Sequence, residues 1–267
     1  MKIVQYRTLS TEALTGEWVD GTVYTLNHSL SEIMAGAIAV RGEAVPHATI
    51  LAPVRPAQIL CIGKNYADHA AEMKSDVPEF PLVFAKLPGT IIASHDLIRW
   101  RRAVTTQVDW EGELVVVIGK TAKNISADQV FDYIFGYTIA NDVSARDLQN
   151  RDGQWARAKG MDTFCPLGPV IVTRDEIPDP HTLTIKTFVN DEQMQNSSTS
   201  LLMRRIPELV SYLSQTFTLQ PGDIILTGTP SGVGAGMKPP RFLEQGMVVR
   251  VEIENIGVLE NRCEVED

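Results

Sequence analysis

At 267 residues, with 44% hydrophobic content and mean hydropathy of -0.04, the chain has the composition of a soluble globular protein with a sizeable core. A net charge of -9 and a pI near 5.1 argue against nucleic acid or an anionic membrane as partner. An acidic substrate stays possible, because a metal and local Lys or Arg can invert the field inside a pocket.

In chain order, residues 1–52 read as a small β-rich N-terminal domain and residues 53–267 as the main domain. Residues 3–7 and 21–24 are strand-like, and residues 30–38 suggest a short helix. Pro53-Val54-Arg55-Pro56 marks the junction, since proline interrupts both helix and ladder. Residues 58–63 form a buried strand, residues 65–73 a short, mobile helical element and residues 80–86 another strand. Ser126-Ala127-Asp128-Gln129 is a capping box opening a helix that ends near Gly136, with a strand over residues 137–142. Pro207 sits in the first turn of a helix reaching Phe217, with Leu209, Val210 and Leu213 inward. Val249, Val251 and Ile253 alternate with Arg250, Glu252 and Glu254, and with residues 259–265 predict a terminal antiparallel hairpin. Many short strands with few helices give an α+β, mostly β architecture. The N-terminus shows no signal-peptide apolar stretch, and no run is long enough to span a bilayer. Three widely spaced cysteines (Cys61, Cys165, Cys263) read as reduced thiols of a cytoplasmic protein.

The acidic residues carry the first chemical signal. In Val108-Asp109-Trp110-Glu111-Gly112-Glu113, carboxylates recur every second residue just before the apolar run Leu114-Val115-Val116-Val117-Ile118. Strand periodicity puts them on one face at the entrance to a core. Like charges there are costly without a cation, although acidic gatekeepers on an exposed edge give the same pattern. Asp142, ending a second apolar strand, supplies a third carboxylate. Glu111, Glu113 and Asp142, with no Cys or His, favour Mg²⁺, Mn²⁺ or Ca²⁺ over zinc or copper. Asp109 falls on the same face as an outer neighbour rather than a ligand.

His69 and Glu72 stand at i, i+3 on the helix of residues 65–73 and can meet on one face. A carboxylate beside an imidazole suits a general base, and equally describes an exposed ion pair. His47 and His181 follow prolines in turns, His28 has no acidic neighbour close in sequence, and His95 faces away from Asp96. Gly228-Thr229-Pro230-Ser231-Gly232-Val233-Gly234-Ala235-Gly236 follows the strand Ile224-Ile225-Leu226. It is neither a Walker loop nor a dinucleotide fingerprint. It is a glycine-rich turn, or a rim bringing Thr229 and backbone amides to a substrate carboxylate. Lys86 ends an apolar strand, and Lys159 lies in a cationic stretch.

Five segments together closely resemble the fumarylacetoacetate hydrolase superfamily. They are Gly63-Lys64-Asn65-Tyr66-Ala67-Asp68-His69, Asp109-Trp110-Glu111-Gly112-Glu113-Leu114, Asn141-Asp142-Val143-Ser144-Ala145-Arg146-Asp147-Leu148-Gln149, Ala158-Lys159-Gly160-Met161-Asp162 and Gly222-Asp223-Ile224-Ile225-Leu226-Thr227-Gly228-Thr229-Pro230. The resemblance implies a layered, mixed β-sheet roll around a metal site, usually as a homodimer. It implies that Glu111, Glu113 and Asp142 ligate Mg²⁺ and that His69 and Glu72 activate water from a lid. It also implies that Lys159 and Gln149 stabilise negative charge, Thr229 contacts a substrate carboxylate and Lys86 lines the pocket.

The expected activity is a Mg²⁺-dependent hydrolase cleaving a C–C bond of an acylpyruvate-like or fumarylacetoacetate-like oxo acid. His69 would take a proton from water, and Gln149 and Lys159 would stabilise the oxyanion. Without water the same enolate chemistry supports the alternative: a hydroxyhepta-dienedioate isomerase or decarboxylase, or an oxaloacetate decarboxylase or tautomerase. Specificity is expected in loops 74–79 and 235–242. A non-catalytic metal-binding or sensing protein would have lost a ligand or the His–Glu pair, and both are present.

Overall fold

Strand periodicity dominates the chain, and strands are the most common regular element of the structure. A computed structural model describes residues 1–9, 12–73 and 76–267. The first elements are β1 (Lys2–Arg7), β2 (Leu14–Val19), β3 (Thr22–Leu26), α1 (Leu30–Met34), β4 (Arg41–Val45) and β5 (Thr49–Leu51). Then come β6 (Ile59–Gly63), α2 (Ala67–Glu72), β7 (Leu82–Lys86), β8 (Ile91–Ile92), β9 (Leu97–Arg101), β10 (Val108–Asp109) and β11 (Gly112–Ile118). The central part holds β12 (Ile134–Asn141), β13 (Ser144–Ala145), α3 (Arg146–Asp152), α4 (Ala156–Lys159), β14 (Cys165–Thr173), β15 (Thr184–Val189) and β16 (Glu192–Ser198). The chain closes with α5 (Ile206–Thr216), β17 (Ile224–Leu226), β18 (Val248–Ile253) and β19 (Gly257–Glu266).

A 12-stranded mixed sheet runs β4-β3-β2-β1-β14-β12-β11-β17-β6-β7, with β5 on β1 and β8 on β14. A second sheet of five strands runs β16-β15-β18-β19-β9. Strands β1–β5 extend the large sheet, with Lys2 and Ile3 paired to Val172 and Ile171. Val4, Tyr6 and Val23 share the main core with Leu114, Val116, Leu209 and Val251. The predicted hairpin is β18–β19, with Val249, Val251 and Ile253 buried between the sheets and their polar neighbours half-exposed. All three cysteines are free and buried, and burial pushes the Cys165 and Cys263 thiols up to about 12. No helix among the described residues is long and apolar enough to cross a membrane.

Three local expectations change. The segment after Ser126 is a 3₁₀ turn over Ala127–Asp132, and β12 already begins at Ile134. The Ser126 hydroxyl donates to the Gln129 side chain instead of capping backbone, and Gly119 and Lys120 N–H groups take the Tyr133 carbonyl. The helix of residues 30–38 ends at Met34, because Gly36 turns left-handed at φ +102°. The acidic run is not one strand. It breaks at Trp110–Glu111, with β10 pairing β13 and β11 entering the large sheet between β12 and β17. His181, in a turn as expected, accepts the Ile206 N–H on Nε2 at 3.1 Å and so caps α5.

Candidate active site

The entrance of β11 and the end of β12 lie side by side, with Gly112 opposite Asn141 and Glu113 opposite Ala140. That register brings the carboxylates of Glu111, Glu113 and Asp142 together: one oxygen from each lies within 4.8 Å of the others. All three residues are buried. Asn141 fixes the turn by accepting the Glu111 N–H on its side chain, and Asp142 N–H donates to the Glu111 carbonyl.

Cations surround this cluster unevenly. Lys159 Nζ donates to Glu111 Oε2 and Asp142 Oδ2, both at 2.7 Å. Lys86 Nζ donates to Asp142 Oδ1 at 2.6 Å and to the Val143 carbonyl. Arg146 Nη2 stands 2.6 Å from Glu111 Oε1, at ion-pair distance but off the hydrogen-bonding angle. Burial alone would raise the Glu111 carboxyl, but Lys159 and Arg146 outweigh it and hold it far below the ordinary carboxylate range. Glu113 has no cation partner among the described residues; its one hydrogen bond is from Gly228 N–H at 2.7 Å. Burial, then the charges of Asp142 and Glu111, push its carboxyl well above the ordinary range. A buried carboxylate without a counter-ion, in an all-oxygen set, fits a hard divalent cation.

The predicted Mg²⁺ ligands therefore converge, and His69, Gln149, Lys159 and Thr229 line the same cavity, about 240 Å³ in volume. Its other wall is apolar: Ile62, Met73, and Phe84 set edge-to-face on Trp155 at 5.1 Å between centroids. His69 and Glu72 come from α2, whose Glu72 accepts the Gly232 N–H at 3.0 Å and whose Asp68 accepts the Ser231 hydroxyl at 2.7 Å. Nδ1 of His69 is buried 3.7 Å from Glu72 Oε2, close enough for charge but beyond a hydrogen bond. Residues 76–79 and 235–242 are described, whereas Lys74 and Ser75 of the first predicted specificity loop lie outside the described residues.

Packing gives Lys86 and the glycine-rich loop partners within the protein. Lys86 does not line the cavity. Its side chain is fully buried behind Asp142, where β7 delivers it as the counter-charge of that carboxylate. Four amides of the glycine-rich loop are taken by the protein's own carboxylates. Gly228 N–H goes to Glu113, Gly232 N–H to Glu72, and Gly234 and Ala235 N–H groups to Asp109. Gly228 manages this at φ +103°, with a Cβ there meeting Asn65 at 2.8 Å. Thr229 lines the cavity but donates its hydroxyl proton to the Gly112 carbonyl at 3.0 Å and accepts from Gln195 Nε2 at 2.8 Å.

Arg146, Asp109 and Gln195 are the residues that local reading undervalued. Arg146 donates to Asp109 Oδ2 at 2.8 Å and to Gln149 Oε1 at 3.0 Å, tying the loop, the carboxylates and Gln149 into one network. Its i, i+3 relation to Gln149 on α3 was a usable signal. Gln195, on a polar strand, offered none.

Comparison with known proteins gives concordant results. Residues 58–264 match the family described as fumarylacetoacetate (FAA) hydrolase C-terminal. Oxaloacetate tautomerase YisK of Bacillus subtilis (strain 168) is 49% identical over 222 residues, 82% of this chain and 73% of that protein. The fumarylacetoacetate hydrolase of psychrophilic Exiguobacterium antarcticum superposes with a TM-score of 0.89 at 38% identity, covering 100% of both chains. The 2-hydroxyhepta-2,4-diene-1,7-dioate isomerase from Mycobacterium marinum gives 0.85 at 36% identity, covering 100% of this chain and 99% of that one.

Proposed function

The chain belongs to the fumarylacetoacetate hydrolase family, and from that premise we propose that it is a divalent-metal-dependent keto–enol tautomerase of a small 2-oxo acid. One observation carries the reading. A single imidazole, His69, shares a cavity of about 240 Å³ with an oxygen-only cation site. That volume is below the range of roughly 300–1,000 Å³ usual for drug-sized ligands. Moving one proton between carbon and oxygen needs one base and charge stabilisation, and no placed water. Similarity to an oxaloacetate tautomerase supports the same choice.

Glu111, Glu113 and Asp142 would hold the cation, Mg²⁺ by the preference of hard oxygen donors, and when bound it supplies Lewis acidity at the 2-oxo oxygen. The chain's own groups do the rest. Nδ1 of His69 is buried beside Glu72, which leaves Nε2 to take the proton from C3. Lys159 has two of its three N–H bonds on Glu111 and Asp142, and the third is free for the oxygen on which charge develops. Gln149, whose Oε1 accepts from Arg146, presents its amide N–H₂ to the same cavity. The proton then returns to the oxygen, completing the enol, and ketonisation is the reverse.

The test is spectroscopic: enol oxaloacetate is diluted into buffer and its ultraviolet absorbance followed with and without protein and Mg²⁺. Acceleration that needs both supports the reading. No acceleration, with release of pyruvate from acetylpyruvate instead, favours C–C hydrolysis, the second reading. That reading draws on the His69–Glu72 pair and on the likeness to a fumarylacetoacetate hydrolase. A homodimer in solution is proposed alongside, from the family resemblance, and light scattering tests it.

A further inference from the structure

Three cations line the cavity: Arg146, Lys159 and Lys64. Arg146 is committed to Asp109, Glu111 and Gln149, and Lys159 to Glu111 and Asp142. Lys64, half-buried on the loop joining β6 to α2, makes no hydrogen bond or ion pair with any described residue. Asn150, beside Gln149 on the same cavity, is likewise unpartnered. Lys64 also holds a left-handed backbone, φ +57°, which glycine would take at lower cost. A long cationic side chain at such a position, aimed at a cavity with nothing to bind, is a functional signal.

Charge on the cavity wall points the same way. The carboxylates of Glu111, Glu113 and Asp142 are matched in number by those three cations. Behind the wall Asp109 and Lys86 offset each other. A divalent cation on the carboxylate cluster therefore leaves the lining with a formal excess of two positive charges. Counting Glu72, which stands behind His69, the excess is still positive. Either way a dianion is drawn to that positive lining more strongly than a monoanion.

We infer that Lys64, assisted by Asn150, binds the distal carboxylate of a 2-oxo dicarboxylic acid and makes the site select dianions over 2-oxo monoacids. This rests on the tautomerase reading for the identity of the 2-oxo head, and it names the other end of the substrate. Lys64 is a specificity-determining residue and takes no part in the proton transfer.

Pyruvate and oxaloacetate differ by that one carboxylate. Their binding to the full chain in Mg²⁺ is measured by calorimetry on wild type, Lys64→Met and Lys64→Arg. A lost charged hydrogen bond predicts that Lys64→Met weakens oxaloacetate by about 10- to 100-fold. Pyruvate should change less than about twofold, and Lys64→Arg should recover most of the loss. Equal binding of the two acids by wild type, or equal weakening of both in Lys64→Met, overturns the inference. Because binding needs no turnover, failure of the tautomerase reading shows separately, as tight oxaloacetate binding without faster loss of the enol.

Discussion

Replacing Asp109 should unlock the network beneath the carboxylate cluster. Asp109 is fully buried and accepts four hydrogen bonds: Trp110 N–H at 2.9 Å, Gly234 N–H at 2.7 Å, Ala235 N–H at 3.0 Å and Arg146 Nε at 2.8 Å. Taken singly, bonds to a charged acceptor contribute about 1.5–3 kcal/mol each. Their sum overstates the loss, because the loop relaxes and such terms are not additive. The better guide is the cost of removing one partner of a buried ion pair, about 3–5 kcal/mol. Asp109→Ala should therefore lose about that much in urea unfolding with EDTA present. Asp109→Asn should recover little, since its single oxygen serves two donors and its N–H₂ faces the other two. The variant should also bind Mg²⁺ more weakly, because Arg146, already 2.6 Å from Glu111, is then no longer shared with Asp109 and competes more strongly for that carboxylate. A loss below about 1 kcal/mol in Asp109→Ala, with an unchanged urea slope, would refute the reasoning.

His69→Ala should lower tautomerase turnover by about 10²- to 10⁴-fold while leaving Mg²⁺ binding within error, by rate assay and calorimetry. Gly236→Ala would drive a methyl group into the side chain of Glu72. The variant should detach α2, raising KM and lowering kcat together, with a much smaller loss in thermal stability. His181 titrates below its ordinary 6.5 because of burial, which outweighs the opposing pull of Asp179. The folded state then binds fewer protons than the unfolded state. The stability linked to His181 is present above pH 6.5 and is lost as pH falls through the lower folded value. Melting curves of wild type should steepen their pH dependence in that window, and those of His181→Gln should not.

Much of the site was legible because its chemistry is written in short contiguous segments. Glu111, Glu113 and Asp142 flank two apolar runs, and strands β11 and β12 pair in the register that joins them. The internal partners of Lys86 and the glycine-rich loop were not, because those contacts span more than 50 residues. A lysine ending an apolar strand reads the same whether it faces a substrate or, as here, a carboxylate behind the wall. A glycine loop reads as a ligand cradle whether its amides meet phosphate or the protein's own Glu113, Glu72 and Asp109. The helix assigned after Ser126 failed for a different reason. The capping signal was local, and the pairing of Ile134 with Ile118 took the backbone into β12 first.

The central claim is that Glu111, Glu113 and Asp142 close on one hard cation in a cavity shared with His69. Calorimetric titration of EDTA-stripped protein with Mg²⁺ tests it directly, on wild type beside Glu113→Gln, which keeps the shape of the carboxylate that has no cation partner. One ion bound per chain in wild type, with binding lost or weakened at least about 100-fold in Glu113→Gln, is the predicted result. Absence of binding in wild type, or equal affinity in the two proteins, would contradict it.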